Sequence, residues 1–85
     1  MDEYEVIFQT SAAKEFRDLT LVTKQKIALV IDKLKRNPRS RQVRKLSGQE
    51  GLYRIRVSHY RIIYEIDDVK RLIRVTRIPH RKDVY

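Results

Sequence analysis

The chain has 85 residues, enough for a single domain with one modest hydrophobic core and too few for a deep catalytic cavity, so an active site is expected on a surface or in a shallow groove. It contains no cysteine, which excludes a disulfide scaffold, a thiolate nucleophile and a cysteine zinc site. The formal net charge of +9 favours a partner that carries phosphate or is itself acidic; a basic surface that serves only solubility is the alternative.

The positive charge lies in the later part of the chain. Residues 1–34 hold five basic and six acidic side chains, a net of −1, whereas residues 35–85 hold fifteen basic and five acidic ones, a net of +10. The first ten residues are acidic and alternating, unlike a secretory signal, and no apolar run approaches the ~20 residues that a membrane span needs. We therefore expect a cytoplasmic protein.

The chain opens with a predicted strand, because apolar side chains alternate with others over residues 4–9. Thr10 or Ser11 then provides a capping hydroxyl for a short helix that reaches about Leu19. Three side chains of this helix are available to pack inward: Ala12, Ala13 and Phe16.

A second helix is predicted after it, with Thr23 as its capping residue. Its apolar side chains follow the i, i+3, i+4, i+7 spacing of an amphipathic helix: Ile27, Val30, Ile31 and Leu34. The helix should end at Asn37-Pro38, since the residue before a proline disfavours the helical region. Residues 39–51 are basic and polar and predict a connection with room for a short strand.

The second half of the chain predicts strands at residues 52–57, 60–66 and about 70–78, each rich in Ile, Val and Tyr. The short connections Ser58-His59 and Asp67-Asp68 imply antiparallel hairpins. The expected fold is α+β, with two N-terminal helices packed on one face of a mostly antiparallel twisted sheet.

A two-residue turn at Ser58-His59 fixes which side chains share a face of the first hairpin. One face is apolar and should receive the helices: Tyr53, Ile55, Val57, Tyr60, Ile62 and Tyr64. The other face is predicted to carry four arginines close together: Arg54, Arg56, Arg61 and Arg74. The expected register places Arg61 opposite both Arg56 and Arg74, and Glu65 opposite Lys70. Like charges in opposite positions are unfavourable, so this face favours phosphate binding over a merely solvated surface.

Three segments resemble the RelE/ParE toxin superfamily, and within it the RelE-type ribosome-dependent mRNA interferases. They are KLSG (45–48), LYRIRVSHYRIIYEI (52–66) and IPHRKDVY (78–85), and the resemblance covers the chain as one domain, residues 1–85. It implies a microbial-RNase-like fold and an endoribonuclease without metal or cofactor. The enzyme would cut mRNA in the ribosomal decoding site by attack of the RNA 2′-hydroxyl on the adjacent phosphate.

The resemblance assigns catalytic positions to five residues: Arg54, Arg56, Arg61, Arg81 and Tyr85. Arginine stands at two positions where lysine is familiar in the family, and it binds phosphate but cannot accept a proton, which leaves the general base open. His80 and Arg74 are secondary candidates, and His59 is expected to be a solvated turn residue. Contacts to RNA or the ribosome are expected from Lys45, Arg44 and Tyr60.

The resemblance also implies a partner, a cognate antitoxin that holds the toxin inactive in a hetero-oligomer. The charge of the chain predicts that this antitoxin carries an acidic or amphipathic wrapping segment. Two other functions stay open on the sequence: inhibition of DNA gyrase in the manner of ParE toxins, and a catalytically weakened module that only binds an antitoxin.

Overall fold

The computed structural model of the protein describes residues 3–46, 48, 51–80 and 82. Its elements follow in chain order: β1 (Glu5–Phe8), α1 (Thr10–Arg17), α2 (Leu21–Arg36), β2 (Arg44–Lys45), β3 (Leu52–Val57), β4 (Tyr60–Asp67) and β5 (Leu72–Arg77). The strands form one sheet in the order β1-β5-β4-β3-β2, where β1 runs parallel to β5 and the other neighbours are antiparallel. The predicted α+β fold is confirmed.

The hydrophobic core lies between α2 and the inner face of the sheet. Ile27, Ile31 and Leu34 of α2 are buried and Val30 is half-buried, which confirms the predicted apolar stripe. The sheet meets them with alternate side chains of its three central strands: Ile55, Val57, Ile62, Tyr64, Ile73 and Val75. Neither described helix has the length and apolar character that crossing a bilayer demands.

Both predicted helix caps were wrong by a few residues. Thr20, in extended conformation, is the N-cap of α2, and its hydroxyl oxygen accepts a hydrogen bond from the backbone N–H of Thr23 at 3.3 Å. α1 begins directly after Gln9, whose N–H still donates a hydrogen bond to the carbonyl of Val75 in β5. Because the strand passes straight into the helix, Thr10 already lies in the first turn and no side chain caps α1.

The β3–β4 hairpin has the predicted register. Val57 pairs with Tyr60 and Arg56 with Arg61, so the connection is the two-residue turn Ser58-His59. Ser58 has a φ of 58°, the positive value that the first loop position of a type II′ turn requires. This tight turn fixes every side chain of the hairpin to one face or the other.

The β4–β5 register differs from the prediction. Asp67 pairs with Leu72, and Glu65 lies opposite Arg74 rather than Lys70. The connection is longer than the predicted two residues because the Asp67 side chain accepts the Lys70 N–H at 3.0 Å and builds a turn of its own. A register shift between Ile63 and Tyr64 also displaces the rest of the pairing, so the predicted Arg61–Arg74 pair is wrong.

Candidate functional site

A groove of about 450 Å³ on the outer face of the sheet carries three arginines and is named here the arginine groove. The described residues that line it are Gln42, Arg44, Arg54 and Arg56. Arg44 of β2 stands directly opposite Arg54 of β3, and Arg56 follows two residues later on the same strand. Opposed residues and alternate residues project to the same face, so β2 and β3 bring the three guanidinium groups together.

The arginine groove is suited to an anion. Among the described residues that line it, none is acidic, and three positive charges converge there. One nitrogen of the Arg44 guanidinium donates to the carbonyls of Arg41 at 2.6 Å and Val43 at 3.0 Å, which holds this side chain in place. Guanidinium groups fixed in this way on strands offer planar sets of donors that match phosphate oxygens.

Arg61 is buried, although the sequence predicted it on the solvent face. It stands opposite Arg56 as expected, but only 5% of it is exposed. The chain after β5 returns along the start of β4, where the Arg61 N–H donates to the Pro79 carbonyl at 3.1 Å and Tyr60 forms a bridge with His80. Arg61 therefore lies beside the arginine groove without lining it.

Arg74 does not join the arginine cluster that the sequence predicted. It lies on β5, beyond β4, and its guanidinium donates to the Glu65 carboxylate at 2.9 Å across the two strands. The sheet thus neutralises Arg74 with an opposed acid, whereas no such acid lines the groove of Arg44 and Arg54 within the part of the chain that the structure describes.

His80 and Tyr60 form an aromatic cluster with His59 at the tip of the β3–β4 hairpin. The Tyr60 ring meets the His80 ring edge-on with centroids 5.0 Å apart, and the His59 ring stacks on His80 at 6.1 Å. The Lys82 N–H donates to Nδ1 of His80, which puts the proton of the neutral ring on Nε2. The bridge sets His80 on the face of Tyr60, opposite to that of Arg61, so these rings are not brought to the arginine groove.

The remaining predicted residues are either on the opposite face of the sheet or outside the residues that the structure describes. Lys45 pairs with Tyr53 and so projects to the face opposite that of Arg44. Arg81 and Tyr85 lie outside the described residues. Gln42 lines the groove but was missed, because it sits in a polar connection where neither alternation nor helical spacing marks a residue.

A polar cluster holds the connection that leads to β2. The Asp68 carboxylate accepts two hydrogen bonds from the Arg39 guanidinium, at 3.0 and 2.9 Å, and one from the Tyr4 hydroxyl at 2.6 Å. These hydrogen bonds lower the pKa of Asp68 to about 2, with the largest effect from Arg39 and the next from Tyr4. The same hydrogen bond to Asp68, with burial, raises the pKa of Tyr4. The cluster joins the turn after β4, the residue before β1 and the chain after α2.

Comparison with known proteins extends over nearly the entire chain. Residues 6–85 match the family described as the ParE toxin of the type II toxin–antitoxin system parDE. Toxin RelE3 of Methanocaldococcus jannaschii is 29% identical over 84 residues, which cover 94% of this chain and 93% of the relative.

Two solved structures have the same fold. The isolated RelE toxin of E. coli matches with a TM-score of 0.81 and 26% identity, over 91% of this chain and 83% of that one. The RelE of an archaeal RelE–RelB complex from Pyrococcus horikoshii matches with a TM-score of 0.81 and 26% identity, over 93% of this chain and 96% of that one.

Proposed function

Because the chain belongs to the ParE toxin family of type II toxin–antitoxin systems, within the RelE/ParE superfamily, we propose that it is a toxin that cleaves RNA in the manner of RelE. The observation that carries the proposal is the arginine groove, where Arg44, Arg54 and Arg56 converge and no carboxylate is found among the described lining residues. Its substrate is mRNA in the ribosomal decoding site, and the reaction uses no metal.

The groove supplies the electrostatic part of the reaction. The RNA 2′-hydroxyl oxygen forms a bond to the adjacent phosphorus, the bond to the 5′-oxygen breaks, and the products are a 2′,3′-cyclic phosphate and a 5′-hydroxyl. Negative charge grows on the phosphoryl oxygens in the transition state, where Arg54 and Arg56 stabilise it and Arg44 holds the neighbouring backbone. Arginine stays protonated, so proton transfer requires another group, for which Tyr85 is the candidate. Arg81 is a candidate for stabilising the leaving group.

We also propose that a cognate antitoxin binds this chain and forms a hetero-oligomer with it. The support is that the RelE of Pyrococcus horikoshii was crystallised with RelB. An antitoxin segment rich in Asp and Glu would complement the arginine groove and compete with RNA for it.

The decisive experiment is primer extension on an mRNA in a purified translation system, with and without ribosomes. Wild-type protein is compared with Arg56→Ala and with Arg17→Ala, which removes the same charge from exposed α1. We expect cuts that require ribosomes, that disappear in Arg56→Ala and that persist in Arg17→Ala. Equal cutting by both variants would remove the arginine groove from the mechanism.

Inhibition of DNA gyrase is the second candidate, because the matching family is described by its ParE members. A folded wild-type protein that leaves mRNA intact and blocks gyrase supercoiling would establish it. A protein that does neither, yet co-purifies with the product of its operon neighbour, would be an antitoxin-binding module.

A further inference from the structure

Glu15 of α1 holds the end of β5, a contact that no sequence pattern indicated. Its carboxylate accepts hydrogen bonds from Nε and one terminal nitrogen of the Arg77 guanidinium, the closest at 2.8 Å. The same carboxylate also accepts the backbone N–H of Ile78 at 2.7 Å. Donors from a side chain and from the adjoining backbone fix both the position and the direction of the chain as it leaves the sheet.

The segment that Glu15 holds is also hydrogen-bonded to the backbone of Arg61. Ile78 and Pro79 are buried, and the Pro79 carbonyl accepts the Arg61 N–H at 3.1 Å. One residue further, His80 bridges to Tyr60. The segment 77–80 is therefore fastened to α1 on one side and to the start of β4 on the other, and it leads directly to Arg81.

The charge of Glu15 is required for this contact. Its side chain is 27% exposed, and partial burial alone would raise its pKa. The hydrogen bonds from Arg77 and the Ile78 N–H outweigh burial and leave the pKa below its ordinary value, so the group is ionised at neutral pH. An uncharged side chain of the same size cannot accept all of these donors at equal strength.

We propose that Glu15 is a positioning residue of the toxin: it sets the course of segment 77–80, and through that segment the placement of Arg61 beside the arginine groove. The inference rests on the proposed RNA cleavage and extends it to a residue on the opposite, helical side of the sheet. Glu15 acts through the chain that it holds and does not touch RNA.

The test compares Glu15→Gln with Asp32→Asn, a control that also neutralises a helical carboxylate. Asp32 lies on α2, where its carboxylate forms an exposed ion pair with Lys35 at 3.7 Å. In single-turnover cleavage on ribosomes, we expect Glu15→Gln to lower the cleavage rate at saturating protein by roughly 10- to 100-fold, because a misplaced catalytic group produces a loss of this size. The protein concentration that gives half of the maximal rate should stay unchanged. Asp32→Asn should cleave like the wild type.

Amide hydrogen exchange gives a second readout that does not depend on cleavage. Glu15→Gln should speed the exchange of the Ile78 and Arg61 amides, whereas Asp32→Asn should leave both at the wild-type rate. If the wild type cuts no RNA, the proposed function fails, and the exchange rates still decide whether Glu15 holds the segment. The inference is overturned if Glu15→Gln cleaves like the wild type, if the two carboxylate variants lose activity equally, or if neither amide exchanges faster.

Discussion

Arg44 and Arg54 stand directly opposite each other on adjacent strands and open into one groove. Directly opposed like charges destabilise a sheet, and elsewhere on this sheet Arg74 is matched by Glu65. The fold therefore keeps an unfavourable pair in a groove where a bound anion would relieve it. Such a conflict between stability and local charge is expected at a binding site.

Replacing Arg54 by Gln should stabilise the free protein at low salt while it weakens RNA binding. The change removes the repulsion with Arg44, which amounts to about 0.2–1 kcal/mol for a cross-strand pair. Urea unfolding at low and at high salt measures the gain, which should shrink as salt screens the charges. A lower free energy of unfolding for Arg54→Gln at low salt would show that the guanidinium serves the fold.

The sequence was sufficient for the first hairpin and for α2, because both depend on local patterns. Alternation over β3 and β4 with a two-residue turn leaves one register that buries Ile55 and Ile62 together. The α2 stripe likewise has one face that can meet the sheet. The hairpin pattern therefore predicted that Arg54 and Arg56 belong to the candidate site.

Other parts of the site depend on contacts that no local pattern contains. Arg61 is buried and its backbone N–H bonds to Pro79 after β5, and the register shift at Ile63/Tyr64 is invisible to alternation. Arg44 gains its role from a strand of only two residues, and Gln42 from the connection before it. The roles of Arg81 and Tyr85 stay predictions.

Arg56→Ala should lower both the RNA affinity and its dependence on salt. Each phosphate contact to a single strand contributes about 0.7 to the slope of log K against log salt, so removal of one contact should reduce the slope by roughly that amount. Fluorescence anisotropy with a short oligonucleotide that lacks 2′-hydroxyls measures binding without cleavage. Arg17→Ala, outside the groove, should keep the wild-type slope; equal slopes for both variants would mean that Arg56 contacts no phosphate.

The Asp68 cluster predicts a loss of stability in acid. Hydrogen bonds from Arg39 and Tyr4 lower the pKa of Asp68 from 3.8 to about 2 in the folded protein. A group with a depressed pKa stabilises the fold above its unfolded-state pKa, and this contribution disappears as the pH falls from about 4 towards 2. Urea unfolding between pH 2 and 6 should give a shallower acid slope for Asp68→Asn than for the wild type. Asp32→Asn, in an exposed helical pair, should leave the slope unchanged.

His80→Phe decides whether His80 carries out proton transfer. The phenyl ring preserves the contacts with His59 and Tyr60 that help to hold segment 77–80, but it removes both ring nitrogens. Because His80 shares the face of Tyr60 and not that of Arg56, cleavage on ribosomes should keep its wild-type rate to within about threefold, far less than the 10²–10⁴-fold that general acid–base catalysis contributes. Arg56→Ala, measured in parallel, reports the effect of damage to the groove itself. A loss of about 10²-fold or more in His80→Phe, with its thermal stability intact, would place the His80 imidazole at the reacting phosphate and assign it the proton transfer that the arginines cannot perform.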